Sequence, residues 1–288
     1  MAAADPGVEI LAGESARRRR LGVAFWCALA WITVLFIAAL AAQWLPLASP
    51  SDMDMLEQRT PPSGAHWLGT DAFGRDILSR LVYGARISLT VGLLAPLIGV
   101  FLGGAFGMLA GYFCGRFETF VVGGVDVLLA FPPLILALAV TAYLGQSLLH
   151  LTLILGFLGI PAFTRVARAA TLALAQREFV IAARALGATH ARILLRELLP
   201  NVALPLLAFF LVGVAVTIVV EGALSFLGLG VPPPMPSWGS MIDEGRESLE
   251  SAPWLAFIPA GAMFLTVLAF NFIGDTLRAI ADPRQGAL

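Results

Sequence analysis

Two acidic residues stand inside or at the edge of long apolar stretches of this chain. Asp126 lies a short way into one stretch, and Glu221 closes another. Acids within apolar spans are costly and often line solute or proton paths, so both are candidates for a translocation path or gate. Each residue also has a simpler interpretation. Asp126 is near enough to a surface to be hydrated or paired with an arginine, and Glu221 is near enough to the outer interface for its carboxylate to reach it.

A second chemically distinctive group is the basic segment 176–201, between apolar stretches. Its apolar residues recur at helical spacing, Gly187 suits the left-handed position after a helix end, and Thr189 can cap a second helix. Pro200 either stops that second helix or begins the next. The pattern predicts a helix, a glycine corner and a short helix, carrying the four arginines Arg177, Arg184, Arg192 and Arg196.

This segment, called the elbow below, has two ordinary interpretations: an amphipathic loop or a DNA-binding helix-turn-helix. The surrounding apolar stretches argue against a nucleic-acid partner. Composition supports this conclusion, because the 288 residues are 59% apolar and 13% charged, whereas a soluble domain is about half apolar and about a quarter charged. The sequence therefore predicts an all-α polytopic membrane protein.

The residue inventory also limits catalysis. The basic residues are all arginine, so a nucleotide-binding loop of the form G-x-x-x-x-G-K-[ST] is excluded. Cys27 and Cys114 lie far apart in apolar segments and are predicted to pack without forming a disulfide. His66 has no metal-ligating partner at useful spacing in the sequence. We therefore expect no catalytic residues, no metal site and no cofactor in this chain.

Hydropathy predicts six transmembrane helices with both termini in the cytoplasm, because most arginines fall in segments on one side. The first apolar stretch, residues 21–47, is longer than the apolar core of a cleavable signal peptide, so we expect it to be retained as a span. The predicted divisions are a cytosolic tail at 1–20, the first span at 21–47, an extracytoplasmic segment with an amphipathic interfacial helix at 48–86, a five-helix core at 87–280 with a cytosolic loop at 165–201, and a cytosolic tail at 281–288.

Within the core, two further patterns bear on packing. Gly103, Gly107 and Gly111 repeat every four residues, which predicts close approach of another helix from the same subunit or from a neighbouring one. The pair Pro132-Pro133 predicts a bend in the third span. The fourth span is expected to end near Phe163, and the fifth to run from near Leu204 to near Gly222.

Several motifs in a fixed order resemble one family. The elbow is similar to the cytoplasmic "EAA" loop of ABC importer membrane subunits, although Ile181 stands where that family has a glutamate. Residues 62–286 resemble the C-type permease subunit of dipeptide/oligopeptide ABC importers. The matching segments are His66–Asp71, Gly74–Asp76, Leu78–Arg80, Tyr83–Ser88, Val125–Pro132, Leu224–Gly230, Pro236–Gly239 and Leu277–Arg284.

This resemblance implies the type I ABC importer permease fold and a place in the bacterial inner membrane, in contact with lipid. The implied partners are a B-type permease subunit, two ATPase subunits that hold ATP and Mg, an extracytoplasmic binding protein and a peptide substrate. It also implies alternating access driven through the elbow. The residues expected to couple to the ATPases are Ala182, Ala183, Arg184, Gly187, Ala188, Thr189, His190, Arg192, Leu199 and Pro200.

Three alternatives remain at this point. Related permeases carry nickel, glutathione or other small solutes. A proton-coupled transporter would need buried acids along a path, and Asp126 and Glu221 are the two candidates for that role. A membrane receptor or structural protein would also show six spans.

Overall fold

The computed structural model describes residues 22–281, so the predicted tail at 1–20 and nearly all of that at 281–288 lie outside the described residues. The described chain is built from helices and connecting loops. In chain order the helices are α1 (Val23–Ala41), α2 (Ile77–Phe113), α3 (Gly115–Leu129), α4 (Pro133–Leu144), α5 (Leu148–Ala175), α6 (Glu178–Ala185), α7 (His190–Phe226), α8 (Trp238–Arg246) and α9 (Trp254–Ala281).

These helices give five or six candidate spans. Helices α1, α2, α5, α7 and α9 are each long and apolar enough to cross a membrane, and α3 with α4, which meet at an angle of 78°, makes a sixth when the pair is counted as one broken span. Pro133 opens α4 at a position where a helix has no use for a backbone N–H, so the helix restarts there in a new direction. The predicted bend at the proline pair is confirmed.

The interfacial helix predicted within 48–86 is not a separate element. Residues 77–86 form the first turns of α2, which continues without a break through a π-helical turn at Gly99–Gly103. Asp76 caps this helix by accepting a hydrogen bond from the backbone N–H of Ser79 at 2.7 Å. Arg80 is 2% exposed because it pairs with acids inside the protein, so this face of the helix does not lie on a membrane surface.

The glycine repeat of α2 packs against α5 of the same chain. A Cβ atom on Gly107 would lie 2.3 Å from the carbonyl oxygen of Thr164, and one on Gly111 would lie 2.8 Å from that of Arg168. Gly103 is equally close to α5. The repeat thus lets two backbones touch, and of the two predicted uses the structure shows packing within the subunit.

Two helices extend well beyond their predicted spans. Helix α5 continues past Phe163 to Ala175, and α7 begins at His190 and ends at Phe226. At 1.5 Å per residue, the 37 residues of α7 measure about 55 Å. One continuous helix therefore joins the elbow to the opposite end of the molecule, where α8 packs across α2 and α7.

Candidate functional site

The glycine corner of the elbow has the predicted geometry. Gly187 adopts φ +78, a left-handed conformation that favours glycine. Thr189 then caps α7, because its hydroxyl accepts a hydrogen bond from the N–H of Arg192 at 3.3 Å. These local features are the ones that fix the angle between α6 and α7.

The second helix of the elbow is longer than predicted, because Pro200 does not end it. A proline inside a helix removes one N–H and crowds the carbonyl four residues earlier. Here a π-helical stretch, Ile193–Leu198, immediately precedes Leu199 and Pro200, and its wider turn accommodates the proline ring. The short helix of the prediction is therefore the first part of α7.

The elbow is anchored on its inner side by apolar contacts. Val180 of α6 is fully buried, together with Ile193, Leu194 and Leu198 of α7. They pack with Met108 near the end of α2. Burying side chains of this size contributes about 1.5–3 kcal/mol each. The elbow is consequently a firm projection from the helical body.

The outer side of the elbow carries exposed apolar residues. Leu186, next to the glycine corner, is 88% exposed, and Ile181 is 54% exposed. An exposed apolar group at the tip of an anchored projection is typical of a surface that meets another protein. Of the predicted coupling residues, Ala183 and Ala188 are half-buried, and the exposed ones are Ala182, Arg184, Gly187, Thr189, His190, Arg192, Leu199 and Pro200.

A contact that the sequence did not indicate ties the elbow to α2. The hydroxyl of Tyr112 lies 2.8 Å from Nδ1 of His190. The guanidinium of Arg184 lies 5.9 Å from the centre of the Tyr112 ring. Tyr112 lies 78 residues before His190, so only the fold reveals that it meets these two elbow residues.

Asp126 pairs with an arginine, as one of its two interpretations predicts. Its carboxylate lies 2.7 Å from the guanidinium of Arg165, and both side chains are more than half exposed. Arg168 pairs with Glu118 one turn further along α5. Asp126, Arg165 and Arg168 border a cleft of about 380 Å³ between α3 and α5. Helix α5 continues past these pairs to Ala175, beyond the span end expected near Phe163.

Glu221 does not reach an outer interface. Its side chain is 0% exposed and lies between α2, α7 and α8. Its carboxylate oxygens are 2.9 Å from the hydroxyl of Ser88 and 2.7 Å from that of Ser225. The interpretation as a surface carboxylate is therefore wrong, and Asp126 and Glu221 lie in unlike environments.

Beside α8 lies a cluster of four charged residues, here called the arginine cluster. Arg75 is 2.6 Å from Asp71 and 2.5 Å from Glu244, and Arg80 is 2.9 Å from Glu244. Both arginines are buried. Glu244 is a partner across more than 160 residues, which no local pattern in the sequence indicates.

His66 belongs to the same region. Its two ring nitrogens each lie 2.8 Å from a carboxylate, one from Asp76 and the other from Glu57. Both contacts are hydrogen bonds only when the ring carries two protons. The hydrogen bond to Asp76, with a smaller contribution from Glu57, raises the pKa of His66 above its ordinary value. Asp76 also caps α2, so protonated His66 stabilises the start of that helix.

Comparison with known proteins gives one family. The model for "Binding-protein-dependent transport system inner membrane component" matches residues 103–286. The chain is similar to the glutathione transport system permease protein GsiD of Pectobacterium atrosepticum, with 42% identity over 258 residues, 88% of this chain and 86% of the relative. The protein of the same name from Escherichia coli is 42% identical over 269 residues, 93% of this chain and 88% of the relative.

A solved structure has a similar fold. It is described as inward-facing conformations of the MetNI methionine ABC transporter, and it superposes with a TM-score of 0.57. The match covers 69% of this chain and 95% of that chain at 20% identity. The likeness therefore concerns the arrangement of helices.

Proposed function

Because this chain belongs to the family of binding-protein-dependent transport system inner membrane components, we propose that it is the permease subunit through which an ABC importer carries short peptides, with glutathione as the first substrate to test. Membership makes it a multi-pass inner membrane permease of an ABC importer and not itself an enzyme. The peptide substrate, the B-type partner permease and the cytosolic position of both termini are the finer parts of this proposal.

The substrate class is supported by two agreeing lines. The motifs of the chain resemble permeases for dipeptides and oligopeptides, and two relatives that are 42% identical are named for glutathione transport. Glutathione is itself a tripeptide, so both lines indicate a small peptide with free charged ends. The exposed Asp126–Arg165 pair offers one group of each sign beside the cleft between α3 and α5.

The observation that carries the coupling role is the geometry of the elbow. It is anchored by buried side chains, turned by Gly187 and tipped by the exposed Leu186. In our proposal this tip docks on one of two separate ATPase subunits, which bind ATP and Mg. Closure of the ATPases would move the elbow, and α7 would carry that movement along its length across the membrane.

Transport by purified complexes tests the proposal. We expect proteoliposomes that contain this chain, its partner permease, both ATPases and the binding protein to take up labelled glutathione or a labelled dipeptide only with ATP on the ATPase side. Uptake driven by a pH gradient without ATP would contradict the coupling role. Uptake of nickel but of neither peptide would contradict the substrate class.

A further inference from the structure

The buried carboxylate of Glu221 is the end point of a hydrogen-bond network that begins on α8. Ser88 of α2 links Trp238 of α8 to Glu221. Its hydroxyl oxygen accepts a hydrogen bond from the backbone N–H of Trp238 at 3.4 Å, and its hydroxyl donates one to the Glu221 carboxylate at 2.9 Å. Because a backbone N–H can only donate, the hydroxyl proton of Ser88 is left for the carboxylate.

A second path reaches the other carboxylate oxygen. Ser237 caps α8, and its hydroxyl oxygen accepts from the N–H of Ser240 at 3.2 Å. Its own proton is then available to Ser225, 3.2 Å away, and the proton of Ser225 points to Glu221 at 2.7 Å. In both paths, every donor is directed towards the carboxylate. A group that only accepts hydrogen bonds satisfies the whole arrangement.

The same place has direct backbone contact between α7 and α8. A Cβ atom on Gly239 would lie 2.5 Å from the carbonyl oxygen of Gly222. The indole N–H of Trp238, which is fully buried, donates to the carbonyl oxygen of Leu81 at 3.1 Å. The start of α8 is therefore held against both α2 and α7, and Glu221 lies where the three helices meet.

We infer that Glu221 is a positioning residue that fixes the start of α8 to α7, so that a movement of α8 is transmitted along α7 to the elbow. This inference rests on the proposed function, in which the ATPases meet the elbow, and it adds that the binding protein approaches the opposite end of α7, at α8. This role differs from lining the translocation path, because the Glu221 side chain is enclosed by α2, α8 and its own helix α7.

The test compares Glu221→Gln, Glu221→Asp and, as a matched control on an exposed acid, Glu250→Gln in the complete complex. Glutamine keeps the volume of Glu221 but presents an amide N–H₂ to a hydroxyl whose proton also points inward. We expect stimulation of the ATPase by the loaded binding protein to fall about tenfold, the equivalent of about 1.4 kcal/mol, while basal ATPase activity is retained. Aspartate keeps an acceptor-only group, so Glu221→Asp should retain more stimulation than Glu221→Gln. A role in packing alone would give the opposite order.

Hydrogen exchange of the α8 amides is the second readout, and it does not depend on the substrate. Glu221→Gln should exchange faster in α8 than wild type, and Glu250→Gln should not. Unchanged exchange would overturn the anchoring role, and faster exchange with normal stimulation would overturn the transmission along α7.

A second variant covers the case in which Glu221→Gln does not assemble. Ser88→Ala removes one of the two hydrogen-bond paths and should give an intermediate loss of ATPase stimulation. Wild-type stimulation and exchange in that variant would overturn the inference. If no peptide stimulates the ATPase activity of the wild-type complex, the proposed substrate class is contradicted. The exchange result still decides whether Glu221 holds α8 against α7.

Discussion

The two ends of α7 are built in opposite ways. At the elbow, the helix begins with an exposed cap and stands beside exposed side chains such as Leu186. At the other end it is enclosed by α2 and α8, with Glu221 and Trp238 fully buried. The first turns of α7 pack inward through Ile193, Leu194 and Leu198, but their outer side is open to a partner; this end is called the free end below, and the enclosed end the fixed end. A long helix with one end open to a partner and the other enclosed suits the transfer of movement, since displacement at the open end turns the helix about the enclosed one. The two ends should therefore differ both in stability and in function.

The largest effect is expected from Trp238→Ala at the fixed end. This side chain is 0% exposed and donates a hydrogen bond to Leu81, so its loss should lower the free energy of unfolding by about 3–5 kcal/mol. Thermal unfolding of the purified complex in detergent measures this change. Trp67→Ala is the matched control, because Trp67 is 69% exposed and should be replaced with little loss. Equal stability of the two variants would show that the packing around Trp238 does not hold the fixed end in place.

A smaller effect on stability, but a larger one on coupling, is expected from Gly187→Val at the free end. The left-handed conformation of Gly187 penalises a β-branched residue by about 1–2 kcal/mol, although the surrounding space is open. The strain should change the angle of the elbow and lower the amount of substrate transported per ATP hydrolysed.

Gly145→Val provides the control for this substitution. Gly145 also has a positive φ, +81, with open space around it, but it lies in the turn between α4 and α5. With ψ 162 it lies in a region that only glycine readily adopts, so Gly145→Val should cost at least as much stability as Gly187→Val and still leave the ratio of transport to hydrolysis unchanged. If both variants lower that ratio equally, the loss comes from general strain and not from the elbow.

These contrasts also show which features a sequence can reveal. The corner at Gly187 and the cap at Thr189 were predictable because they depend on residues within one or two turns. The bend at Pro133 was predictable for the same reason. Helix α5 runs on to Ala175, past the span end expected near Phe163, because an apolar pattern marks a span and not the full helix that carries it.

The fixed end was beyond sequence reasoning for a different reason. Glu221 and Ser88 are 133 residues apart, and Arg80 and Glu244 are 164 residues apart. No local pattern records such contacts, so the burial of Glu221 and the arginine cluster emerge only from the packing of α8 on α2.

The smallest effect is expected from pH at His66. The pKa of His66 is raised above 6.5 in the folded protein. The stabilisation is therefore fully present below the ordinary pKa and is lost as the pH rises through the raised pKa of the folded state. Thermal unfolding measured upward from about pH 5 should show this decline in wild type, and His66→Gln should flatten it. His150→Gln is the control, which should leave the decline unchanged.

The role of the elbow as the ATPase contact is tested most directly by co-purification of the ATPase subunits with two variants, Leu186→Glu and Leu56→Glu. The two leucines are 88% and 95% exposed, so neither substitution disturbs a core, but only Leu186 lies on the elbow. A charge placed in an apolar contact must be desolvated there, which weakens binding. We expect Leu186→Glu to lose the ATPases and Leu56→Glu to retain them at the wild-type ratio. Full retention of the ATPases by Leu186→Glu would contradict the role of the elbow as their contact.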